Sequence, residues 1–456
     1  MTTASLPAGP LVAFYGDDYT GSSAAMEALA FAGLQTILFL EVPTPRRLAA
    51  AAHCRGIGIA GVARSRNNDW MDRNLPPIFG TLAEIGAPIS HYKVCSTFDS
   101  APQIGSIGHA IDLAVPLLGG GWHPMVVASP AMGRYQLFGN LFASVHGIGH
   151  RLDRHPTMSR HPVTPMDEAD LGLHLARQTN RPVGLVDFIA MMTGKASDAL
   201  SKQRANGAQI ISLDVLDQAS LVEAGRLIWE NRGERLFAIG SQGVEQALVA
   251  YWQSARLIPD ARPPMSLSPV KRIACVSGSC SPVTAEQIAH AAQHGFEIVR
   301  LDVARAMDPM EWTKEVARSA DRGLEALSAG RDPLLITADG PNDPVIVTLK
   351  TLAAANGTPM VDINDRIGAG LGCALDRILQ SARLDRAVIA GGDTSGHAAR
   401  AMGIYALTAA APLASGAPLC RASSDNEHAA IEIALKGGQV GDADLFCVAR
   451  DGSNHR

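Results

Sequence analysis

The sequence contains no apolar run long enough to span a membrane; its longest, around residues 404–412, is short and rich in small residues. The first ten residues lack the charged and apolar segments of a secretory signal, so we expect none. The seven cysteines are scattered and form no CxxC pair, which predicts a reduced protein without a disulfide framework or a zinc site. We therefore expect a cytoplasmic protein, and we assign no residue as a metal ligand.

Aromatic residues (5%) and charged residues (18%) are also scarce, whereas hydrophobic residues reach 47%. This composition is typical of a globular enzyme rich in small aliphatic side chains. The formal net charge of -5 argues against a broad nucleic-acid-binding surface. We expect small-molecule ligands, with no nucleic-acid or membrane partner. The sequence does not fix the oligomeric state and leaves a homo-oligomer open.

The chain alternates short apolar runs with helical stretches, which predicts mainly parallel sheets covered by helices on both faces. Its 456 residues are too many for one ordinary core. Four prolines within residues 257–270 predict a stiff linker. We therefore predict an α/β fold with two domains, at residues 1–256 and 271–456, each a mainly parallel sheet flanked by helices.

Residues 134–171 do not follow this alternation of apolar runs and helical stretches. The segment is rich in Gly, His, Pro and Met and has little periodicity. Long irregular segments within compact domains are more often functional than accidental. We interpret it as an irregular region that covers the substrate.

Two adjacent carboxylates, Asp17 and Asp18, follow the first predicted strand. The carboxyl ends of strands are where open α/β sheets bind ligands. One carboxylate could bond substrate hydroxyls while the other acts as a base or contacts a metal. The alternative is that one of them caps the helix that begins near Ser22, which requires no ligand. Gly16 and Gly21 on either side relieve backbone constraint and bring the two interpretations close to even.

Polar side chains also follow two later strands of the N-terminal domain. Lys93 is a candidate anion contact, and Ser96 and Thr97 are candidate substrate donors. Arg134 could form a fork to a carboxylate. The alternative for each cation is an ordinary solvent-exposed side chain.

Two strand–loop–helix junctions of the C-terminal domain suit phosphate. Residues 391–396 read Gly-Gly-Asp-Thr-Ser-Gly between an apolar run and a helix, so free backbone N–H groups would lie at the positive end of the helix dipole. Residues 277–281 also place hydroxyls and small residues before a helix that Pro282 can open. Neither loop has the GxxxxGK[ST] pattern of a P-loop or the GxGxxG pattern of dinucleotide binding. Gly438 lies in a glycine break that fits either a hairpin turn or a backbone pressed against adenine or ribose.

In this order, the segments resemble the four-carbon acid sugar kinase family over nearly the whole chain. GDDYTG is similar to its DDxTG signature, and Lys93 with Ser96-Thr97 to its K-x-x-S-T motif. Residues 130–134 resemble its Pro-Ala-x-Gly-Arg segment. GSCSPVTAEQI and GGDTSG resemble its nucleotide-domain signatures.

The resemblance implies that ATP, with Mg²⁺, phosphorylates a terminal hydroxyl of a small sugar acid of the 3-oxo-tetronate or 3-oxo-isoapionate type, in carbohydrate-acid catabolism. The N-terminal domain would bind the acid and the C-terminal domain ATP, with an interdomain active-site cleft. The implied catalytic residues are Asp17, Asp18 and Asp393, the substrate-binding residues are Lys93, Ser96, Thr97 and Arg134, and the ATP-binding residues are Ser277, Ser279, Gly391, Gly392, Asp393, Thr394 and Gly438.

One departure from the family pattern concerns the substrate. Common members read S-T-L-R-G where this chain reads Ser96-Thr97-Phe98-Asp99-Ser100. A carboxylate in place of a cation changes which group is recognised, so the chain resembles members that act on other acids, 3-oxo-isoapionate among them. The alternatives are a sugar-acid or nucleotide sensor without turnover and, disfavoured by the missing fingerprint, a sugar-acid dehydrogenase.

Overall fold

The computed structural model describes residues 5–145, 147–161, 163–260, 266–425 and 431–452. The chain divides into two compact units, one of Met1–Leu38 with Val42–Arg262 and one of Phe39–Glu41 with Pro263–Arg456. Residues 261–265 of the predicted linker lie outside the described residues. Along the part of the chain that is described, no helix is both long and apolar enough to cross a membrane.

The first unit alternates strands and helices, as the apolar pattern predicts. Its strands are β1 (Val12–Gly16), β2 (Thr36–Phe39), β3 (Gly56–Ala60), β4 (Ile89–Lys93), β5 (His123–Val126), β6 (Arg134–Leu137), β7 (Asn140–Val145), β8 (Ile148–Arg151), β9 (Val183–Val186), β10 (Ile210–Leu213) and β11 (Leu236–Gly240). Its helices are α1 (Tyr19–Ala30), α2 (Pro45–Ala50), α3 (Asn68–Ile85), α4 (Ile107–Leu118), α5 (Leu171–Leu175), α6 (Phe188–Met192), α7 (Ala196–Ala205), α8 (Gln218–Glu230) and α9 (Gly243–Ser254).

The main sheet of this unit has the order β2-β3-β1-β4-β11-β5-β10-β9, and the strands from β3 to β9 in that order are mutually parallel. The prediction of a parallel sheet is confirmed. All five residues of β1 are buried, as expected for a strand covered on both faces. The chain builds β2 and β3 on one side of β1 and then β4 on the other, so the topological switch point lies between β1 and β4.

Packing beneath that point fixes the two strands. Tyr15 and Tyr92 are paired in the ladder, and their rings stack with centroids 6.0 Å apart. Phe79 of α3 meets both rings edge-on, at 6.3 and 6.1 Å. This aromatic packing therefore fixes the ends of β1 and β4, which carry the polar residues that follow them.

The prediction of an irregular segment at residues 134–171 is wrong for its first half. Strands β6, β7 and β8 form a separate antiparallel sheet, with Arg134 opposite Ala143 and Phe142 opposite Arg151. Each strand has only four to six residues, too few for a clear period-two signal, and Gly139 turns the chain with a φ of +77°.

The second unit resumes the alternation. Its strands are β12 (Ala274–Ser277), β13 (Phe296–Arg300), β14 (Asp332–Ile336), β15 (Arg386–Ala390), β16 (Ile404–Ala414), β17 (Ala417–Ser424) and β18 (Glu432–Lys436). Its helices are α10 (Pro282–Gln293), α11 (Pro309–Ser328), α12 (Pro344–Ala355), α13 (Met360–Ala382), α14 (Gly392–Ala401) and α15 (Leu445–Asp451).

In this unit the strands follow the order β13-β14-β12-β15-β18-β17-β16. The first five are parallel, and β17 and β16 are antiparallel. The β16–β17 hairpin is not predicted from the sequence, because its long first strand contains bulges and small residues. The chain leaves β12 towards β13 and β14 and returns with β15 on the other side. The switch point of this unit therefore lies between β12 and β15.

Candidate active site

Asp17 and Asp18 follow β1 directly, and both side chains are buried. Asp18 is the N-cap of α1: its Oδ1 accepts the backbone N–H of Gly21 at 3.0 Å, and its Oδ2 accepts the Thr20 hydroxyl at 2.8 Å. The capping interpretation is thus confirmed for Asp18. The cap leaves the burial of Asp17 without a local explanation.

Arg64 joins the two carboxylates, and no sequence pattern singled it out. It lies in a single 3-10 turn, Ala63–Ser65, after β3. Its Nη2 donates to Asp17 Oδ1 at 2.6 Å and to Asp18 Oδ1 at 2.7 Å, and its Nε donates to Asp17 Oδ2 at 3.2 Å. The only sequence signal is positional, since the arginine follows a strand that lies next to β1.

The two carboxylates have pKa values displaced in opposite directions. Burial raises the pKa of Asp17 to about 6, because Arg64 offsets the desolvation only in part and Asp18 adds to it. Burial also opposes the charge of Asp18, but Arg64, Lys93 and the capping bonds outweigh it and hold its pKa below the usual range. A pair of acids divided in this way suits one fixed anion and one proton acceptor.

Lys93 is the last residue of β4, and its side chain is buried. Its Nζ donates to the carbonyl of Val94 at 2.8 Å. A Cβ added at Gly21 would lie 2.2 Å from Asp18 Oδ1 and 2.5 Å from Lys93 Nζ. The absence of a side chain at Gly21 therefore lets the ammonium and the carboxylate approach the same point above α1.

Ser96 and Thr97 are buried in the loop that follows β4. The Thr97 hydroxyl donates to Asp99 Oδ1 at 2.5 Å, and the Cys95 Sγ lies 2.9 Å from Thr97 Oγ1. Burial opposes the charge of Asp99, but Arg64 and the hydrogen bonds from Thr97 and Cys95 hold its pKa below the usual range. The residue that departs from the family pattern is therefore an ionised carboxylate, held by Thr97.

Arg134 begins β6, and its guanidinium is held by main-chain oxygens. Its Nη1 donates to the carbonyls of Met132 at 3.0 Å and Ser144 at 3.3 Å. Burial lowers its pKa, and the Cys95 thiol acts in the opposite direction. Arg134 is thus half-buried and near the loop after β4, rather than a solvent-exposed surface arginine.

In the second unit, the loops after β12 and β15 pack tightly against each other. Gly391, the N-cap of α14, has a φ of +123°, and a Cβ there would lie 2.9 Å from Thr394 Oγ1. A Cβ at Gly278 would lie 2.2 Å from the same oxygen. At Gly392, by contrast, a Cβ would meet no atom within 4 Å. The two loops thus require glycine where they touch and leave open space at the first turn of α14.

A cavity of about 370 Å³ occupies this edge of the second unit. Six predicted ATP-binding residues line it: Ser279, Gly391, Gly392, Asp393, Thr394 and Gly438. Ser277 instead is fully buried, and its hydroxyl accepts the N–H of Ser279 at 3.3 Å, so it supports the loop. Val345 and Leu349 form an apolar wall, and Lys350 adds a cation.

Lys436 is a further residue of this edge that the sequence patterns did not single out. It ends β18, is fully buried, and donates to Thr284 Oγ1 at 2.8 Å and to the carbonyl of Gly437 at 3.0 Å. The hydroxyls of Ser281 and Thr284 donate to the carbonyl of Gly438. Burial lowers the pKa of Lys436 to about 7, and no carboxylate among the described residues pairs with it. The glycine break leads into α15, so a hairpin to another strand is wrong.

Both halves of the chain match known domain families. Residues 12–248 match the family described as a sugar-binding N-terminal domain, and residues 274–446 match the one described as a nucleotide-binding C-terminal domain. The two switch-point groups described above lie within these two ranges, one in each.

Relatives and solved structures agree with this assignment. A 3-oxo-isoapionate kinase of Paraburkholderia graminis is 48% identical over 98% of this chain and 95% of its own length. A 3-oxo-tetronate kinase of Methylobacterium radiotolerans is 32% identical over 95% and 97%. A crystal structure from Salmonella typhimurium has the same fold, with a TM-score of 0.74, 24% identity and coverage of 96% of this chain and 98% of that one. The chain belongs to the four-carbon acid sugar kinase family.

Proposed function

We propose that this protein is an ATP-dependent kinase that phosphorylates a terminal hydroxyl of a small sugar acid of the 3-oxo-isoapionate type, in carbohydrate-acid catabolism. The relative named for that activity is 48% identical to this chain, whereas two named 3-oxo-tetronate kinases are 32% and 28% identical. The observation that carries the proposal is the group at the β1/β4 switch point, in which two carboxylates share one guanidinium beside a buried ammonium.

Asp17 is the residue we assign as the general base. Its pKa of about 6 suits a group that must be ionised near neutral pH and still accept a proton. Asp18 is occupied by the helix cap and by the Thr20 hydroxyl, so its role is to hold Arg64 in place. The substrate hydroxyl oxygen attacks the γ-phosphorus of ATP, the bond to the bridging oxygen breaks, ADP leaves, and the hydroxyl proton passes to Asp17.

We assign Lys93 as the residue that binds the carboxylate of the sugar acid. Arg64 is already held by two aspartates, whereas one backbone carbonyl accepts from Lys93 Nζ, which leaves N–H donors for a ligand. Ser96 and Arg134 border the same loop and would fix the remaining oxygens of the acid. Thr97 donates to Asp99 and so contributes indirectly, by orienting that carboxylate towards substrate hydroxyls.

The cavity of the second unit fits a nucleotide phosphate chain. Backbone N–H groups at the start of α14 provide anion-binding donors, and Gly392 leaves space above them. Asp393 and Asn364 line the same cavity and carry the oxygen ligands that Mg²⁺ prefers. When bound there, Mg²⁺ would neutralise charge on the phosphate oxygens. Asp393 is in this view a metal-side residue rather than the base.

The expected cellular setting follows from the proposed chemistry. ATP and reduced cysteines both belong to the cytoplasm, and all seven cysteines are free. We therefore propose a cytoplasmic enzyme.

The test is ADP release by the purified full chain with ATP, Mg²⁺ and each of 3-oxo-isoapionate, 3-oxo-tetronate and tetronate. We expect the highest kcat/KM for 3-oxo-isoapionate. Asp17→Asn should lower kcat by roughly 100-fold or more and leave ATP binding intact. Asp198→Asn, at an exposed carboxylate of the same unit, is the matched control. ATP binding without ADP release with any acid would instead favour the sensor.

A further inference from the structure

Three side chains with metal-ligating atoms meet on the second unit, away from the nucleotide cavity. His290 and His294 lie on and just after the last turn of α10, and Cys447 lies on α15. One ligand atom from each lies within 4.8 Å of the others. Sequence spacing gave no hint of this group, because Cys447 is more than 150 positions from the histidines.

The two histidines lie close together, and one ring must turn about its side-chain torsions before both can bind the same ion. The rings of His290 and His294, four residues apart, stack with centroids 3.9 Å apart and planes inclined by 12°, so their in-plane lone pairs do not converge in this rotamer pair. His294 Nδ1 lies 2.7 Å from the carbonyl oxygen of His290. A carbonyl can only accept, so Nδ1 carries the proton and Nε2 keeps its lone pair. This is the outer-shell hydrogen bond that usually fixes a metal-binding imidazole.

The charges near the thiol also favour a cation. Cys447 lies on α15 between two carboxylates of the same helix, Asp444 at its N-cap and Asp451 at its last position. Arg450 is neutralised, since it donates to Asp332 at 3.0 Å and to Asp451 at 2.7 Å. The thiol therefore stands among carboxylates, where a divalent ion can replace its proton.

We propose that His290, His294 and Cys447 bind a divalent transition-metal ion of the Zn²⁺ class. Two imidazole nitrogens and one sulfur form a donor set that suits Zn²⁺, Co²⁺ or Ni²⁺ and does not suit Mg²⁺. As the metal–sulfur bond forms, the thiol proton leaves to solvent, and water completes the coordination. The ion links α10 to α15. Because Ser281, the N-cap of α10, contacts Gly438, the site stabilises the part of the second unit that carries the nucleotide cavity.

The test uses the full chain, freed of metal with a chelator and kept reduced. Added Co²⁺ should give the near-ultraviolet charge-transfer absorption of a cobalt–thiolate bond, and added Zn²⁺ should abolish it. At a Zn²⁺ concentration 100 times the dissociation constant, the apparent unfolding equilibrium constant should fall about 100-fold. A large excess of Mg²⁺ should change neither signal.

Two variants separate the site from general metal binding. Cys447→Ser should remove the charge-transfer absorption, and His294→Ala, at an exposed position, should weaken Co²⁺ and Zn²⁺ binding at least about 10-fold without unfolding the chain. Cys373→Ser, at an exposed cysteine elsewhere, is the control and should behave like wild type. The proposal is overturned if the wild-type chain shows no cobalt–thiolate absorption, or if His294→Ala binds both ions as tightly as wild type. Neither result depends on kinase activity.

Discussion

Arg64 and Asp17 form a two-pronged ion pair, with Nη2 donating to Oδ1 at 2.6 Å and Nε donating to Oδ2 at 3.2 Å. The pair joins the turn after β3 to the end of β1. The same Nη2 also donates to Asp18 at 2.7 Å, so one guanidinium compensates two buried carboxylates. Only the planar fork of arginine can make all three bonds.

Arg64→Met should therefore destabilise the first unit by about 3–5 kcal/mol, because it leaves two buried carboxylates without their cation. Arg64→Lys should recover part of the stability but only a small, measurable fraction of the activity, since a point charge cannot orient both acids. Urea unfolding and ADP release measure the two effects. Arg177→Met, which removes an exposed ion pair, is the control and should be as stable as wild type. The assigned role would be contradicted if Arg64→Met were as stable as Arg177→Met.

The pH dependence of the reaction should report Asp17. Its ionised form is the proposed base, so kcat/KM should fall as the pH drops through about 6. Arg64 lowers the pKa of Asp17, whereas burial and Asp18 raise it. Arg64→Lys should keep most of the charge and hold the acidic limb near its wild-type position, whereas Arg64→Met should move it to higher pH. A profile that Arg64→Met leaves unmoved would exclude Asp17 as the base.

The alternation of apolar runs and helical stretches was enough to predict both parallel sheets, because strands buried on two faces read as continuous apolar segments. It failed at β6–β8 and at β16–β17. These strands are short, or bulged and rich in small residues, and antiparallel partners leave no helix between them to mark the pattern.

Some residues of the candidate site could also be predicted from the sequence, and others could not. Asp17, Asp18 and Lys93 could be found because each lies at or just after the end of a predicted strand, and Gly391 and Gly392 because glycines precede a helix. Arg64 and Lys436 could not, since their importance comes from hydrogen bonds to residues that are 46 or more positions away. The order of the strands in the sheet decides which distant residues come into contact, and local sequence periodicity does not predict that order.

Gly392→Val should hinder nucleotide binding in the cavity of the second unit without disturbing the fold. A Cβ at this position meets no atom within 4 Å and lies at the cavity. We expect the KM for ATP to rise at least about 10-fold, or about 1.4 kcal/mol, with little change in melting temperature. Gly80→Val, at an equally open helical glycine of α3, is the matched control. Unchanged ATP affinity in Gly392→Val would place the nucleotide elsewhere.

Lys436 should give the second unit a stability that rises with pH. Its pKa is lowered from 10.5 to about 7 by burial, so between these values the unfolded chain binds more protons than the folded one. The free energy of unfolding should then increase by up to about 1.4 kcal/mol per pH unit above pH 7. Lys436→Met should lose this slope in urea titrations at several pH values. Equal slopes in both proteins would show that the ammonium is not buried as described.

Asp99 should decide which acid is phosphorylated. It is an ionised, buried carboxylate held by the Thr97 hydroxyl, in a position where common family members carry arginine. A carboxylate accepts hydrogen bonds from substrate hydroxyls, and a hydrogen bond to a charged group contributes about 1.5–3 kcal/mol. Asp99→Asn should therefore lower kcat/KM for the preferred acid by roughly 10- to 100-fold and leave the KM for ATP unchanged. The ratio of kcat/KM for the preferred acid to kcat/KM for 3-oxo-tetronate should fall. If kcat/KM falls equally for every acid, Asp99 supports the loop after β4 rather than selecting the substrate.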